Sequence, residues 1–338
     1  MCLIALVACS NALEQATSAG QVVVSVNAAD ATLSLVSVDN HTVTSLAVPF
    51  AGSSPTTVGV LGELLAAPGG DSAGLAVFDF SNGTPPAVST WHLAANSGAT
   101  GVAFENDSIA WAANPNRNTV TRINVRLGDT ASTAVGVTPV AVIVTGGYVY
   151  VLNANRANGV PAGASWITVV PTRGNPPPGV DSIPLTGPNA STMVRGIDGL
   201  LYVVDAGTLG NADGKLSIVD PGQQTEVAVI LGLGELPGPP VYHPSGLLLI
   251  ASRSEGILEV NTVTRTLSRG PGNGIKPTGA SGIAALALDE VGRVYAFDQG
   301  NCTQPGTLHV LAPPPDYSEL REYSVGVCPS AAATILVP

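Results

Sequence analysis

Short apolar runs rich in Val, Ile, Leu, Thr and Tyr alternate along this chain with breaks made of Gly, Asn, Asp and Pro. No stretch carries apolar residues at i, i+3, i+4 and i+7 over three turns, so the pattern predicts strands rather than helices. The runs recur as a unit: an apolar strand, a polar break, and a second strand that ends near Asp or Asn. The unit returns at a period of about 40 to 50 residues. Its copies are "VVVSVNAADATLSLVSVD" from Val22, "GELLAAPGGDSAGLAVFDF" from Gly62, "SIAWAANPNRNTVTRINV" from Ser108 and "YVYVLNANRANGVPAGASWITVV" from Tyr148. They continue with "LLYVVDAGTLGNADGKLSIVDP" from Leu200, "LLLIASRSEGILEVNTVT" from Leu247 and "RVYAFDQGNCTQPGTLHVLAP" from Arg293, which makes seven.

A further strand-like stretch precedes each copy after the first, as in "PTTVGV" from Pro55, "ATGVAF" from Ala99, "PVAVIV" from Pro139 and "GIAALAL" from Gly282. A shorter, more polar strand follows, as in "TVTSLAV" from Thr42 or "TEVAVIL" from Thr225. Four strands per unit and seven units predict an all-β fold, a seven-bladed β-propeller. The first copy has no inner strand before Val22. The last residues, "PSAAATILVP", begin like the other inner strands and follow the final outer strand, "ELREYSVGV". They are expected to complete blade one beside Val22 and close the ring, which removes two open strand edges at once. The competing arrangement is an open β-sandwich with a trailing edge strand. The units "YVYVLNANRANG", "LYVVDAGTLGNADGKLSIVD" and "GIAALALDEVGRVYAFD" resemble the YVTN-type and NHL-type repeats of bacterial envelope propellers. That resemblance covers about residues 20 to 338. It implies an interaction platform or, in a minority of such families, a lactonase or lyase.

Composition agrees with a compact, turn-rich chain. Of 338 residues, 45% are hydrophobic and 11% charged, which excludes charge-driven disorder. Gly (39) and Pro (27) are spread through the sequence as turns need, rather than gathered in one linker. The net charge of −11 and only two lysines, Lys215 and Lys276, leave no basic stripe for nucleic acid. The acidity reads as a solubility feature.

The chain opens "MCLIALVACSNALEQ". Its Leu6-Val7-Ala8-Cys9 resembles a bacterial lipobox, with cleavage before a Cys that then carries lipid. No Lys or Arg precedes the short apolar run. The expected organisation is a signal-peptide remnant over 1–8, a tether over 9–20 with Cys9 lipidated, and the propeller over 21–338. This places the protein in a bacterial cell envelope, periplasmic or surface-exposed, touching the membrane only through its anchor. Cys302 falls in the turn between the middle strands of blade seven and Cys328 at the start of the closing strand. The pair is expected to form a disulfide, as an oxidising compartment allows.

Candidate chemistry is sparse. There is no G-x-S-x-G, H-E-x-x-H or P-loop. His41, His92, His243 and His309 lie far apart and read as structural. "YHPSG" at Tyr242–Gly246 is similar to the streptogramin-lyase type of propeller but reads as a plain inter-strand turn. Asp205, Asn211 and Asp213 offer oxygen ligands within one Gly-rich loop, where Ca or Mg is conceivable, although Asp, Asn and Gly also build ordinary turns. The residue ending the second strand recurs as Asn27, Asn114, Asn153, Asp205, Ser252 and Asp298. Asn153, Asp205 and Asp298, with Arg156 in the long blade-four loop, mark a possible binding rim. The blade-four excursions "NANRANGVPAGAS" and "PTRGNPPPGVDS" are the expected partner-facing surface. The reading is a monomeric ring without a cofactor that binds an envelope protein or polymer. The rival is a lactonase-like hydrolase or lyase with a divalent metal at the channel mouth.

Overall fold

The computed structural model describes residues 20–50, 52–173 and 181–338. Seven four-stranded antiparallel sheets stand in a ring, and the fold is the seven-bladed β-propeller. Among the described residues the helical content is one 3-10 turn, Pro115–Arg117. The lipobox and residues 9–19 of the expected tether lie outside the described residues, and Gly20 belongs to the strand Gly20–Asn27.

The ring closes as the sequence pattern requires. The C-terminal strand Pro329–Val337 is the innermost strand of blade one and pairs with Gly20–Asn27 from Gly20↔Val337 to Asn27↔Pro329. The same blade continues outward through Thr32–Ser37 and Thr42–Ala47. The junction carries more than the ladder. Ala28 N donates to Cys328 O at 3.0 Å, Gly326 N to Ser34 Oγ at 2.9 Å, and Val327 N to Asp30 Oδ2 at 2.9 Å. Cys302 and Cys328 are bonded, with Cα atoms 4.4 Å apart, so blade seven is tied covalently to the closing strand.

Seven hydrophobic clusters lie between adjacent blades, one at each interface. Val24 and Ile335 of blade one pack with Leu65 and Phe78 of blade two. The last cluster joins Ala285, Tyr295 and Leu308 of blade seven back to Val23 and Val36 of blade one. A middle strand therefore has two buried faces. In Leu247–Ser252, Leu248 and Ile250 face blade five, whereas Leu249 and Ala251 face blade seven. This explains why the second strands read as continuous apolar runs and not as apolar–polar alternation. Outer strands bury little: Thr42–Ala47 and Ala87–His92 are largely exposed, and they are polar.

The expected inner strands at Pro139 and Gly282 are found as Pro139–Thr145 and Ile283–Leu288. That expected at Pro55 is shorter, Gly59–Leu61. There Thr57 Oγ1 donates to Thr100 O at 2.6 Å, linking this stretch to blade three ahead of its own ladder.

Opposing aromatic groups at the other ends of the blades are satisfied in a recurring way. Tyr202 and Tyr295, both buried in second strands, donate to Asp198 and Asp289 in the preceding turns at 2.7 and 2.9 Å. Trp111 Nε1 donates likewise to Glu105 at 3.0 Å. A buried phenol or indole needs such a partner, so these three acids have a structural role.

The disulfide closes a loop with a sequence separation of 26, which the chain-entropy model equates with roughly 3 kcal/mol. Replacing both Cys302 and Cys328 by Ser is expected to lower the unfolding free energy by about that amount in urea titrations. A reductant should then shift the native protein's midpoint and leave the double variant's unchanged. Equal stability of the two proteins would contradict the assignment.

Candidate functional site

Each blade sends the end of its second strand, the start of its third, and the crossover into the next blade to the same face of the ring. The central channel opens there into a cavity of about 710 Å³. Its wall is made by first strands and crossovers from all seven blades, with small side chains such as Ala141, Ala206, Ala284 and Ala331 leaving the space. Three charged residues line it: Arg156, Glu235 and Arg253.

The recurring polar residues at the ends of the second strands stand beside this mouth but do not face it. Asn27, Asn153 and Asp205 are 0% exposed, and Asn114, Ser252 and Asp298 are buried as well. The expected rim of Asn153, Asp205 and Asp298 is therefore corrected: these side chains turn into their blades. The reason is a local rule. Each of four such residues bonds the hydroxyl two positions beyond its cross-strand partner. Asn27, paired with Thr32, donates to Ser34 Oγ at 3.0 Å. Asn114, paired with Thr119, donates to Thr121 at 2.8 Å, and Asn153, paired with Trp166, donates to Thr168 at 2.9 Å. Asp205, paired with Lys215, accepts from Ser217 at 2.7 Å. Asp298 instead accepts from Ser281 N at 2.6 Å and Ser281 Oγ at 2.8 Å.

The crossovers supply the other half of this pattern. Gly136, Gly187 and Gly326 each lie against the buried polar residue. A Cβ built there would meet Asn153, Asp205 or Asn27 at 2.5, 2.2 and 2.4 Å. Two residues later Thr138, Asn189 and Cys328 take left-handed φ of 54°, 58° and 61° before Pro139, Ala190 and Pro329 start the next inner strand. Glycine is needed for close approach, and the left-handed residue swings the chain into the neighbouring blade. The signal was present as "GVTPV", "GPNAS" and "GVCPS".

Arg156 is the one expected rim residue found at the cavity. It is half-buried rather than exposed and starts a small hairpin, Arg156–Ala157 with Val160–Pro161, in the long blade-four loop. Its Nε donates to Asn189 Oδ1 at 2.5 Å, and Asn189 Nδ2 donates to Gly207 O at 2.6 Å. Thr138 Oγ1 donates to the Arg156 carbonyl at 3.2 Å. Burial holds the guanidinium below the usual arginine range. Arg253 and Glu235, which the sequence reading did not single out, are exposed, and Glu235 accepts from Gly210 N at 2.8 Å. The second blade-four excursion lies largely outside the described residues.

The expected oxygen-ligand loop behaves as a turn. Asp205 is engaged inside the blade, and Asp213 accepts from Thr208 N at 2.8 Å. Among the described residues, one group of three potential metal ligands converges: His309, Glu319 and Glu322, with ligand atoms within 4.8 Å of one another. It sits on the outer half of blade seven, away from the mouth. His309 Nδ1 donates to Glu319 at 2.5 Å. Burial alone would raise the Glu319 carboxyl, but this bond holds it below the usual range. His309 Nε2 is buried with no partner. A metal on Nδ1 would place an N–H at that position without an acceptor, whereas ligating histidines normally donate their second N–H. His243 Nδ1 contacts Ser245 Oγ at 2.7 Å within the "HPSG" turn, and His41 contacts the Tyr323 hydroxyl at 3.1 Å.

No family model and no curated protein matches the chain. Solved structures do. It is similar to a functionally unknown protein from Desulfotomaculum acetoxidans at 12% identity, over 94% of this chain and 99% of that one, with a TM-score of 0.69. It is similar to hydrazine synthase of Kuenenia stuttgartiensis at 13% identity, over 85% and 91%, with a TM-score of 0.66. It is similar to streptogramin B lyase at 12% identity, over 82% and 90%, with a TM-score of 0.62. The likeness is one of fold. The chain is a seven-bladed β-propeller, and proteins of several different functions share that fold.

Asp205 occupies a slot that blades one, three and four fill with Asn. Burial raises its pKa to about 7, with the Ser217 hydrogen bond and Lys215 opposing and Glu226 adding. A carboxyl raised in the folded state binds its proton more tightly there than in the unfolded chain. Its stabilising effect is thus complete below the unfolded value of about 4 and is lost as pH climbs to about 7. Asp205→Asn is expected to be more stable than the native chain at pH 8 in urea melts, and to lose that advantage at pH 4. An unchanged pH profile in the variant would contradict this account of the slot.

Proposed function

We propose that this propeller is an exported, lipid-anchored binding protein of the bacterial cell envelope that holds a partner at the face where the channel opens. The supporting observation is the chemistry of the mouth. Its wall mixes small and apolar side chains, such as Ala141, Val140, Pro239 and Ile283, with hydroxyls and two arginines, and it holds a single carboxylate, Glu235, and no histidine among the described residues. Such a wall suits a ligand or side chain with an apolar body and a few polar or charged groups. A lactonase-like site would need several carboxylates or imidazoles converging on one point to hold a divalent ion, and the mouth supplies one. Loops and crossovers on one face of a closed ring form a rigid platform, the usual place for binding residues on a propeller. The Cys302–Cys328 bridge fits an oxidising compartment outside the cytoplasm.

Two measurements test this reading. Cys9→Ser should move the protein from the membrane to the soluble fraction of the expressing bacterium, while a native protein already soluble would remove the anchor. Affinity purification of the tagged protein from native membranes should recover a stoichiometric envelope component. Recovery of the propeller alone, carrying a divalent metal and hydrolysing lactones, would replace the platform with the enzyme.

A further inference from the structure

We infer that the channel mouth is an oxyanion-binding site in which Arg156 clamps a carboxylate or phosphate group of a small polar ligand entering the channel. The inference deepens the binding reading above and rests on it.

The first observation is a held but unneutralised cation. The ion pairs among the described residues are Arg126–Asp107, Arg293–Asp289 and those of His309, so Arg156 has no carboxylate. Its Nε is fixed by Asn189, itself 8% exposed and anchored to Gly207. The terminal Nη1 and Nη2 have no hydrogen-bond partner among the described residues. A charge taken partly out of water is costly unless something pairs with it. A guanidinium whose near nitrogen is immobilised and whose far nitrogens are open is pre-organised to receive two oxygens of an anion, side by side.

The second observation is the local charge. The chain has 24 acidic against 13 basic residues, yet the cavity wall carries two arginines and one glutamate. Glu235 is already bonded to the Gly210 amide. The mouth is thus a positive spot on an acidic protein, in a concave site whose low-dielectric walls concentrate the field. Arg253, exposed at the edge of the same cavity, adds to the attraction without closing the space.

The third observation defines the ligand's body. Thr57, Thr100, Ser191 and Ser330 donate their hydroxyl protons to backbone carbonyls, leaving their lone pairs as what they offer to the cavity. A ligand with O–H or N–H groups beyond its acid group suits these acceptors, and its carbon skeleton suits the Val140, Val241, Ile283 and Leu286 side chains between them. A cavity of about 710 Å³ fits one small molecule.

Isothermal titration of the full mature chain with malate, inorganic phosphate and glycerol separates the possibilities. Malate or phosphate is expected to bind, more weakly as salt rises, and glycerol is not. Preference for malate assigns the carboxylate, and preference for phosphate assigns the phosphoryl group. Arg156→Gln should weaken binding at least about tenfold, Arg156→Lys should weaken it less, and Arg126→Gln on the outer surface should leave it unchanged. Circular dichroism checks that each variant is folded; if Arg156→Gln is not, Arg156→Lys and Arg253→Gln carry the test. The inference is overturned if neither anion binds the native chain at about 10 mM, or if the folded variants bind as well as it does. A protein that captures an envelope partner but binds no anion loses this inference alone. One that binds the anion and captures no partner keeps the mouth and loses the platform.

Discussion

Everything in this molecule depends on one strand pairing: Pro329–Val337 against Gly20–Asn27. Before it forms, blade one lacks its inner strand, the ladder edge of Gly20–Asn27 is open, and the cluster between blades seven and one is unsupported. An exposed apolar strand edge recruits other chains. Once paired, the seven interblade clusters form a cycle, each blade buried on both sides, and the remaining strand edges are the outer strands and the first strands that face the channel. The hydrogen bonds of Gly326, Val327 and Cys328 to blade one, and the disulfide from Cys302, reinforce the same joint. Residues more than 300 positions apart in sequence are thereby held in register.

A closed ring also explains how residues from separate blades come to share one cavity. No blade owns the channel mouth. Arg156 comes from blade four and is held by Asn189 of the crossover into blade five, while Arg253 comes from blade six. Their positions are defined only relative to the ring. Pre-organisation of this kind lowers the ordering cost that a ligand would otherwise meet. The price of assembling the mouth is met in the blades, through buried Asn and Asp groups that stitch second strands to third strands.

The fold was legible in the sequence because both of its signals are physical necessities. Two-sided burial requires continuous apolar middle strands, and four strands per blade fix the repeat. Ring closure followed from one missing and one surplus strand, and the Cys302–Cys328 pair from its place at that joint. The site was less legible. The polar residue at the end of the second strand is repeated, but in Asn27, Asn114, Asn153 and Asp205 the repetition reflects a bond inside the blade, to Ser34, Thr121, Thr168 and Ser217, which sit where only the strand register reveals them. Arg253 and Glu235 carry no motif, and only the closed ring places them beside Arg156. The crossover glycines were visible as "GVTPV" and "GVCPS", yet their meaning, contact with a buried Asn, needs the third dimension.

Native-state amide hydrogen exchange read by mass spectrometry tests the closure most directly. Peptides covering Pro329–Val337 and Gly20–Asn27 should exchange together, at the rate of global unfolding, and as slowly as the buried middle strands of the other blades. Exchange of the C-terminal strand that is fast and independent of the rest would show a ring held by its other blades, with the last strand as an appendage, and would contradict the account.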